Sequence, residues 1–83
     1  MEKRQVVLEV PAIEASYEVM IPTGITVAEL GRLLGKSVED LTMGRYRTSG
    51  AEILCSRDRG CAVGSDVTVG AYDVQNGERL VLM

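Results

Sequence analysis

The sequence contains no histidine, no tryptophan and no phenylalanine among its 83 residues. The missing histidine removes the side chain that most often acts as a general base or a transition-metal ligand. Two cysteines, Cys55 and Cys61, are too few for a zinc site without other ligands. The composition therefore argues against catalysis, and we expect a protein that is not an enzyme and uses neither a metal nor a cofactor.

Long apolar runs and an excess of positive charge are also absent. No apolar run approaches the roughly 20 residues that span a bilayer, and the N-terminus has no signal-peptide pattern. The net charge of −3 does not fit general nucleic-acid binding. We therefore expect a cytoplasmic protein with no nucleic-acid partner and no direct membrane insertion. Its length predicts one domain, residues 1–83, around an aliphatic core.

The chain opens with two short segments that are rich in β-branched residues. Residues 5–10 (QVVLEV) and residues 16–21 (SYEVMI) alternate in part between apolar and polar side chains. Pro11 begins the connection between them. The pattern predicts a β-hairpin with a loop of moderate length.

A helix is predicted next, from about residue 26 to residue 35. Thr26 is a good N-cap and Glu29 follows three residues later, which is the spacing of a capping box. Gly35 favours the end of the helix, and Ser37 starts a second, weaker cap pattern that predicts a turn or a short helix. Three apolar residues repeat on one face of the predicted helix: Val27, Leu30 and Leu34.

The second half of the chain shows weaker periodicity. Residues 42–51 predict a loop, and residues 52–63 predict a second hairpin with Gly60 at its turn. Asn76 and Gly77 mark a tight turn before the final strand, residues 78–83. The predicted class is α+β, a mixed sheet of four to five strands in the order β-β-α-β-β-β with one main helix on one face. The first and last strands should pair in parallel at its centre.

Residues 68–83 carry a resemblance to a known family. The residues that carry it are Thr68, Val69, Tyr72, Val74, Leu80 and Leu82. Their spacing, followed by an alternating last strand, resembles the ubiquitin-like β-grasp family. The resemblance implies that the Tyr72 hydroxyl fixes the irregular loop through a backbone hydrogen bond, which makes Tyr72 a structural residue.

Three branches of this family suggest three functions. Sulfur carriers and modifiers are similar around the helix and the last strand, but they need a C-terminal Gly-Gly tail, and this sequence ends in Leu82-Met83. The small accessory proteins of bacterial type VII secretion systems also end after the last strand, and they carry a similar turn to residues 76–80. The third branch comprises small β-grasp subunits of multicomponent enzymes. The small size, the missing Gly-Gly tail and the turn together favour a non-catalytic, unconjugated protein of the secretion branch.

Several basic residues surround a tyrosine in the second half of the chain: Arg45, Tyr46, Arg47, Arg57 and Arg59. Arginine and tyrosine are common at interface hot spots, so this basic patch is the predicted docking site for an acidic protein partner, with the cytosolic parts of a secretion machine as candidates. The alternative is that these residues are solvated parts of turns and loops. An exposed edge strand could also pair two copies in a homodimer.

The two cysteines flank the predicted second hairpin turn. Cys55 and Cys61 would lie opposite or diagonal to each other across the strands. A disulfide there would close only a short loop, and cross-strand geometry often fits poorly. In a reducing cytosol we expect two free thiols.

Overall fold

The computed structural model describes residues 2–49, 52–59, 61–62 and 66–83. Its elements follow the predicted order, with two short helices added. The strands are β1 (Lys3–Val10), β2 (Ala15–Pro22), β3 (Leu54–Ser56), β4 (Cys61–Ala62) and β5 (Arg79–Leu82). The helices are a 3-10 turn (Pro11–Ile13), α1 (Val27–Leu41) and α2 (Val69–Tyr72).

The strands form one mixed five-stranded sheet in the order β2-β1-β5-β3-β4. The first and last strands pair in parallel, with Leu8 opposite Leu80, and the remaining pairs are antiparallel. The parallel pair lies within the sheet, and three of the four residues of β5 are buried. The α+β class and the predicted sheet topology are therefore confirmed.

The connection between β1 and β2 is tighter than a loop. Pro11 starts the 3-10 turn with its fixed φ, and Glu14 closes it in the left-handed region at φ 51°. The Glu14 N–H donates to the Pro11 carbonyl at 3.1 Å. Ile13 is buried, so this turn also contributes to the core.

The predicted end of the main helix at Gly35 is wrong. α1 continues to Leu41 without a break at Gly35 or at Ser37. Gly35 is buried, and a Cβ built on it would lie 2.7 Å from Thr48 Oγ1. The glycine therefore serves close packing against the following segment instead of ending the helix, and Ser37 is an exposed residue inside the helix.

Two threonines cap the two α-helices at adjacent positions. Thr26 Oγ1 accepts the Glu29 N–H at 3.2 Å, and Thr68 Oγ1 accepts the Ala71 N–H at 3.1 Å. Thr26 and Thr68 also form an antiparallel bridge. The start of α1 is thus fixed to the start of α2.

The turn at Asn76-Gly77 is held against β1. Gly77 has φ +84°, which favours glycine, and its N–H donates to the Gln5 carbonyl at 2.7 Å. Asn76 Oδ1 accepts the Gln5 N–H at 2.9 Å. These bonds place the start of β5 beside β1, in the middle of the sheet. The predicted turn glycine Gly60 lies outside the described residues.

The core lies between α1 and one face of the sheet. It is aliphatic apart from one tyrosine, and its members are Val6, Leu8, Val10, Ile13, Ile21, Val27, Leu30, Leu34, Val38, Tyr46, Leu54, Val69, Val74, Leu80 and Leu82. The opposite face of the sheet carries no helix among the described residues, and we call it the open face. Any surface that the sheet offers to a partner therefore lies there or along an edge strand.

Candidate protein-interaction surface

Tyr46 is a core residue, which corrects its predicted place at the centre of the basic patch. It is 9% exposed, and its hydroxyl donates to Glu52 Oε2 at 3.0 Å. Burial, together with this hydrogen bond to Glu52, raises the pKa of Tyr46 to about 12. The Tyr46 side chain therefore offers little surface to a partner in this structure.

Glu52 organises the described part of the predicted 42–51 loop. Besides the Tyr46 hydroxyl, it accepts hydrogen bonds from Thr48 Oγ1 at 2.7 Å and from the Ser49 N–H at 2.8 Å. Burial by itself would raise the pKa of Glu52, but these three donors outweigh it and hold that pKa below its ordinary value. The described residues 42–49 contain no helix or strand, as predicted.

The remaining residues of the predicted patch do not form one basic surface. Arg45 is exposed, and its Nη2 donates to the Ile13 carbonyl at 2.9 Å on the helix side of the sheet. Arg47 is exposed in the same segment. Arg57 lies on the open face, where its Nε donates to Glu9 Oε1 at 2.5 Å. Arg45 and Arg57 therefore bond to different parts of the fold, and the charge of Arg57 is neutralised by Glu9.

Arg59 has a structural role at the end of the sheet. Its guanidinium donates to the Tyr72 carbonyl at 2.9 Å, to the Asp73 carbonyl at 2.5 Å and to Glu78 Oε1 at 2.9 Å. It also lies 4.4 Å from the centroid of the Tyr72 ring. Arg59 thus ties the turn after β3 to the end of α2. The predicted role of the Tyr72 hydroxyl stays a prediction.

Glu78 is the buried partner in this network. Its side chain is 4% exposed and accepts hydrogen bonds from Arg59, from Ser56 Oγ at 2.6 Å and from the Gln75 N–H at 3.0 Å. Three donors converge on one carboxylate, so the charge is compensated on all sides. The Asn76-Gly77 turn lies between Gln75 and Glu78 and is closed by this carboxylate.

The open face carries an apolar strip that the sequence analysis did not identify. Ile53 and Met83 exchange backbone hydrogen bonds, each of 2.9 Å, and are 56% and 61% exposed. The next pair along these strands is Cys55 with Val81, on the same face. Val81 is only 8% exposed although it lies outside the core. We call these four residues the open-face strip.

Two ion pairs border the open-face strip. Glu9 lies on β1 and Arg57 follows β3, so their ion pair crosses β5 next to Val81 in the register. Beside it, Asp58 Oδ1 accepts Arg79 Nη2 at 2.6 Å, and Asp58 Oδ2 accepts the Arg79 N–H at 2.8 Å. These bonds hold the pKa of Asp58 below its usual range. The strip is therefore an apolar surface with a charge-balanced polar rim, the usual anatomy of a protein interface.

A signal for the strip is present in the sequence. The last strand contains the consecutive apolar residues Leu80 to Met83. A strand that covered only one core would alternate, so the apolar residues at positions 81 and 83 indicate a second apolar face. Leu80 and Leu82 account for the core-facing half of this strand, and Val81 and Met83 form the half that faces the open side.

Cys55 is a free thiol within the strip. The register places Cys61 opposite Ser56, whereas Cys55 lies opposite Ala62. The side chain of Cys61 lies outside the described part of the structure.

The described residues contain neither a membrane-spanning helix nor a metal-binding cluster. No helix among them is both long and apolar enough to cross a membrane. Within the same ranges, no three side chains of the metal-binding types come together in a cluster.

Comparison with known proteins gives matches at the level of structure. The sequence matches no protein-family model and no curated protein. A chain of the MycP5-free ESX-5 inner membrane complex is similar with a TM-score of 0.79 and 18% identity, over 100% of this chain and 21% of that chain. This protein thus spans about a fifth of that chain.

Two smaller structures match over nearly their whole length. The EccD5 ubiquitin-like domain from Mycobacterium xenopi has a TM-score of 0.71 and 14% identity, over 100% of this chain and 94% of that chain. A chain of the toluene 4-monooxygenase HD complex has a TM-score of 0.74 and 10% identity, over 98% and 96%. Ubiquitin-like domains recur among the matches. At these identities the likeness concerns the fold, and it confirms that this chain adopts the ubiquitin-like β-grasp fold.

Proposed function

We propose that the protein is a non-catalytic, single-domain ubiquitin-like interaction module that acts in the bacterial cytoplasm. Its proposed setting is a type VII secretion system, where it serves as an accessory or regulatory component. The structural likeness to the EccD5 ubiquitin-like domain and to a chain of the ESX-5 inner membrane complex supports this setting. The module binds proteins, and its partner is a cytosolic part of the secretion machine.

The observation that carries the proposal is the open-face strip. Ile53 and Met83 each expose more than half of their surface beside the nearly buried Val81. Arg57 and Arg79 are neutralised at its border by carboxylates of this chain. The strip therefore suits a partner with an apolar contact surface, and the acidic partner predicted from the basic patch does not fit it. Arg45 and Arg47 remain a proposed secondary contact.

Affinity capture with the tagged full-length chain tests the proposal. The wild-type protein should retain a cytosolic component of the secretion system, identified by mass spectrometry. Met83→Ser should lower the amount captured at least about fivefold, because an exposed methionine at an apolar interface contributes on the order of 1 kcal/mol. Met43→Ser is the matched control, since Met43 is 95% exposed at the end of α1. Equal capture by both variants would argue against the strip.

A second candidate function has its own support. The likeness to a chain of the toluene 4-monooxygenase HD complex covers 96% of that chain and fits a small β-grasp subunit of a multicomponent enzyme. The same capture experiment separates the two functions, because recovery of enzyme subunits instead of secretion components would select the second. Formation of a C-terminal adenylate on incubation with an activating enzyme and ATP would contradict both.

A further inference from the structure

The outer edge of β2 offers unpaired backbone groups. β2 is eight residues long and is the terminal strand of the sheet, next to β1. The Thr23 N–H donates to the Glu2 carbonyl at 3.2 Å, and the register then alternates. By this alternation Tyr17, Val19 and Ile21 bond to β1. The N–H and C=O groups of the intervening residues therefore point away from the sheet.

The sequence of β2 carries few of the devices that usually protect an edge strand, apart from Glu18 and the terminal Pro22. Natural edges are commonly short, or they carry lysine, proline or a bulge. Residues 15–21 contain neither lysine, arginine, glycine nor proline, and their pairing with β1 is uninterrupted. Pro22 stands only at the last position of the strand. Within the described ranges, no other strand pairs with this edge.

Two copies of β2 can pair in an antiparallel register with a two-fold axis on the strand. A two-fold axis at Glu18 would place two glutamates opposite each other, which is unfavourable. An axis at Val19 instead places Glu18 opposite Met20 of the second copy, and these residues exchange both backbone hydrogen bonds. In that register the Ser16 N–H donates to the Pro22 carbonyl, where the missing N–H of proline costs one bond at each end.

Two leucines of α1 are largely exposed, Leu33 at 54% and Leu41 at 65%. Gly31 and Gly35 pack against Glu52, so their flank of α1 faces β3. With 100° of rotation per residue, Leu33 lies on the opposite flank, whereas Leu41 is the last residue of the helix. One exposed apolar side chain thus lies on the flank of α1 that faces away from β3.

The side of β2 that faces the core is incompletely covered. Tyr17 and Val19 pack against the core but remain partly exposed. Pairing about Val19 would place this residue beside Val19 of the second copy, and Tyr17 beside Ile21 of the second copy. Both side chains would gain burial without any change in the monomer.

We propose that the protein forms a symmetric dimer in which the β2 strands of two copies pair antiparallel about Val19. The two five-stranded sheets become one continuous sheet, with both α1 helices on the same side. The self-complementary register selects a second copy as the occupant of the edge over an unrelated peptide strand. This inference does not depend on the secretion role.

Disulfide trapping tests the register in a Cys55→Ser, Cys61→Ser background. Val19→Cys should form an intermolecular disulfide under mild oxidation, because the pair at the axis is of the non-hydrogen-bonded type with Cα atoms about 4.5 Å apart. Tyr17→Cys and Glu18→Cys lie off the axis and should remain monomeric on non-reducing gels. Trapping at either of these positions in preference to Val19→Cys would overturn the register.

Sedimentation equilibrium of the full chain tests the dimer itself. The wild type should show a concentration-dependent monomer–dimer equilibrium. Met20→Glu should raise the dissociation constant about tenfold relative to Met20→Lys, because residue 20 faces Glu18 of the other copy twice in each dimer. Met43→Glu and Met43→Lys control for net charge and should differ by less than about twofold. A purely monomeric wild type, or equal effects at positions 20 and 43, would overturn the proposal.

Discussion

Gly35→Ala should destabilise the protein although alanine is the better helix former. A Cβ on residue 35 would lie 2.7 Å from Thr48 Oγ1, 2.9 Å from Glu52 Cδ and 3.0 Å from Glu52 Oε1. Real Cβ atoms do not approach other heavy atoms so closely, so the side chains of Thr48 and Glu52 have to move. That movement would pull Glu52 Oε2 away from the three donors that it accepts.

The magnitude follows from two opposing effects. Replacing an interior helix glycine by alanine contributes up to about 1 kcal/mol of stability. A hydrogen bond to a charged group contributes about 1.5–3 kcal/mol. Loss of one such bond to Glu52 therefore leaves a net destabilisation of roughly 0.5–2 kcal/mol. For a domain of this size, that lowers the melting temperature by about 2–16 °C.

Urea unfolding followed by far-ultraviolet circular dichroism measures this effect, since the protein has no tryptophan. The midpoint should fall and the slope should stay unchanged. Gly24→Ala is the matched control, because nothing lies within 4 Å of its added Cβ. In a Thr48→Ala background the cost of Gly35→Ala should shrink by about 1 kcal/mol. If Gly35→Ala raised the midpoint instead, helix propensity would outweigh packing and the reasoning would be refuted.

Three further predictions concern single side chains. The pKa of Tyr46 is raised from 10.0 to about 12. The stability that the protonated hydroxyl contributes to the fold is therefore complete below pH 10 and is lost as the pH rises towards 12. The free energy of unfolding of the wild type should therefore fall by about 2–3 kcal/mol more than that of Tyr46→Phe between pH 10 and pH 12. Unfolding experiments at successive pH values measure this, and parallel pH profiles would contradict it. Thr26→Ala should cost about 1 kcal/mol of unfolding free energy in urea, whereas Thr26→Ser should cost clearly less. Glu78→Gln should cost about 1.5–3 kcal/mol, because an amide nitrogen would face one of the three donors, and a neutral result would show that the network tolerates it.

The sequence was sufficient for those elements whose signal is local. The capping threonine Thr26, the apolar face of α1 and the turn at Asn76-Gly77 are each encoded within a few residues, and the sheet order follows from the order of the elements. The length of α1, in contrast, depends on contacts with residues that are distant in the sequence. Gly35 reads as a helix end until Thr48 and Glu52, more than ten residues later, occupy the space beside it.

Contacts between residues that are distant in the sequence also explain why the predicted basic patch is not one surface in the structure. Charge along the sequence suggested one patch, but the chain supplies carboxylates from distant positions, Glu9 to Arg57 and Glu78 to Arg59. Burial of Tyr46 also depends on tertiary packing around Glu52. The apolar residues of the last strand were visible in sequence, whereas their position on the open face follows only from the pairing of β5 with β3.

The strip and the β2 edge are compatible with each other in one assembly. The two-fold axis that relates two antiparallel strands is perpendicular to the sheet, so it does not exchange the two faces. The dimer would therefore present both α1 helices on one face and both open-face strips on the other. Five strand spacings of about 4.8 Å separate the two copies of β5, or roughly 24 Å. Two identical sites at this spacing can engage a dimeric partner at once, and the second contact then forms at a high effective concentration. A weak apolar contact through Ile53 and Met83 would in this way give firm binding to a paired target and little binding to a single copy.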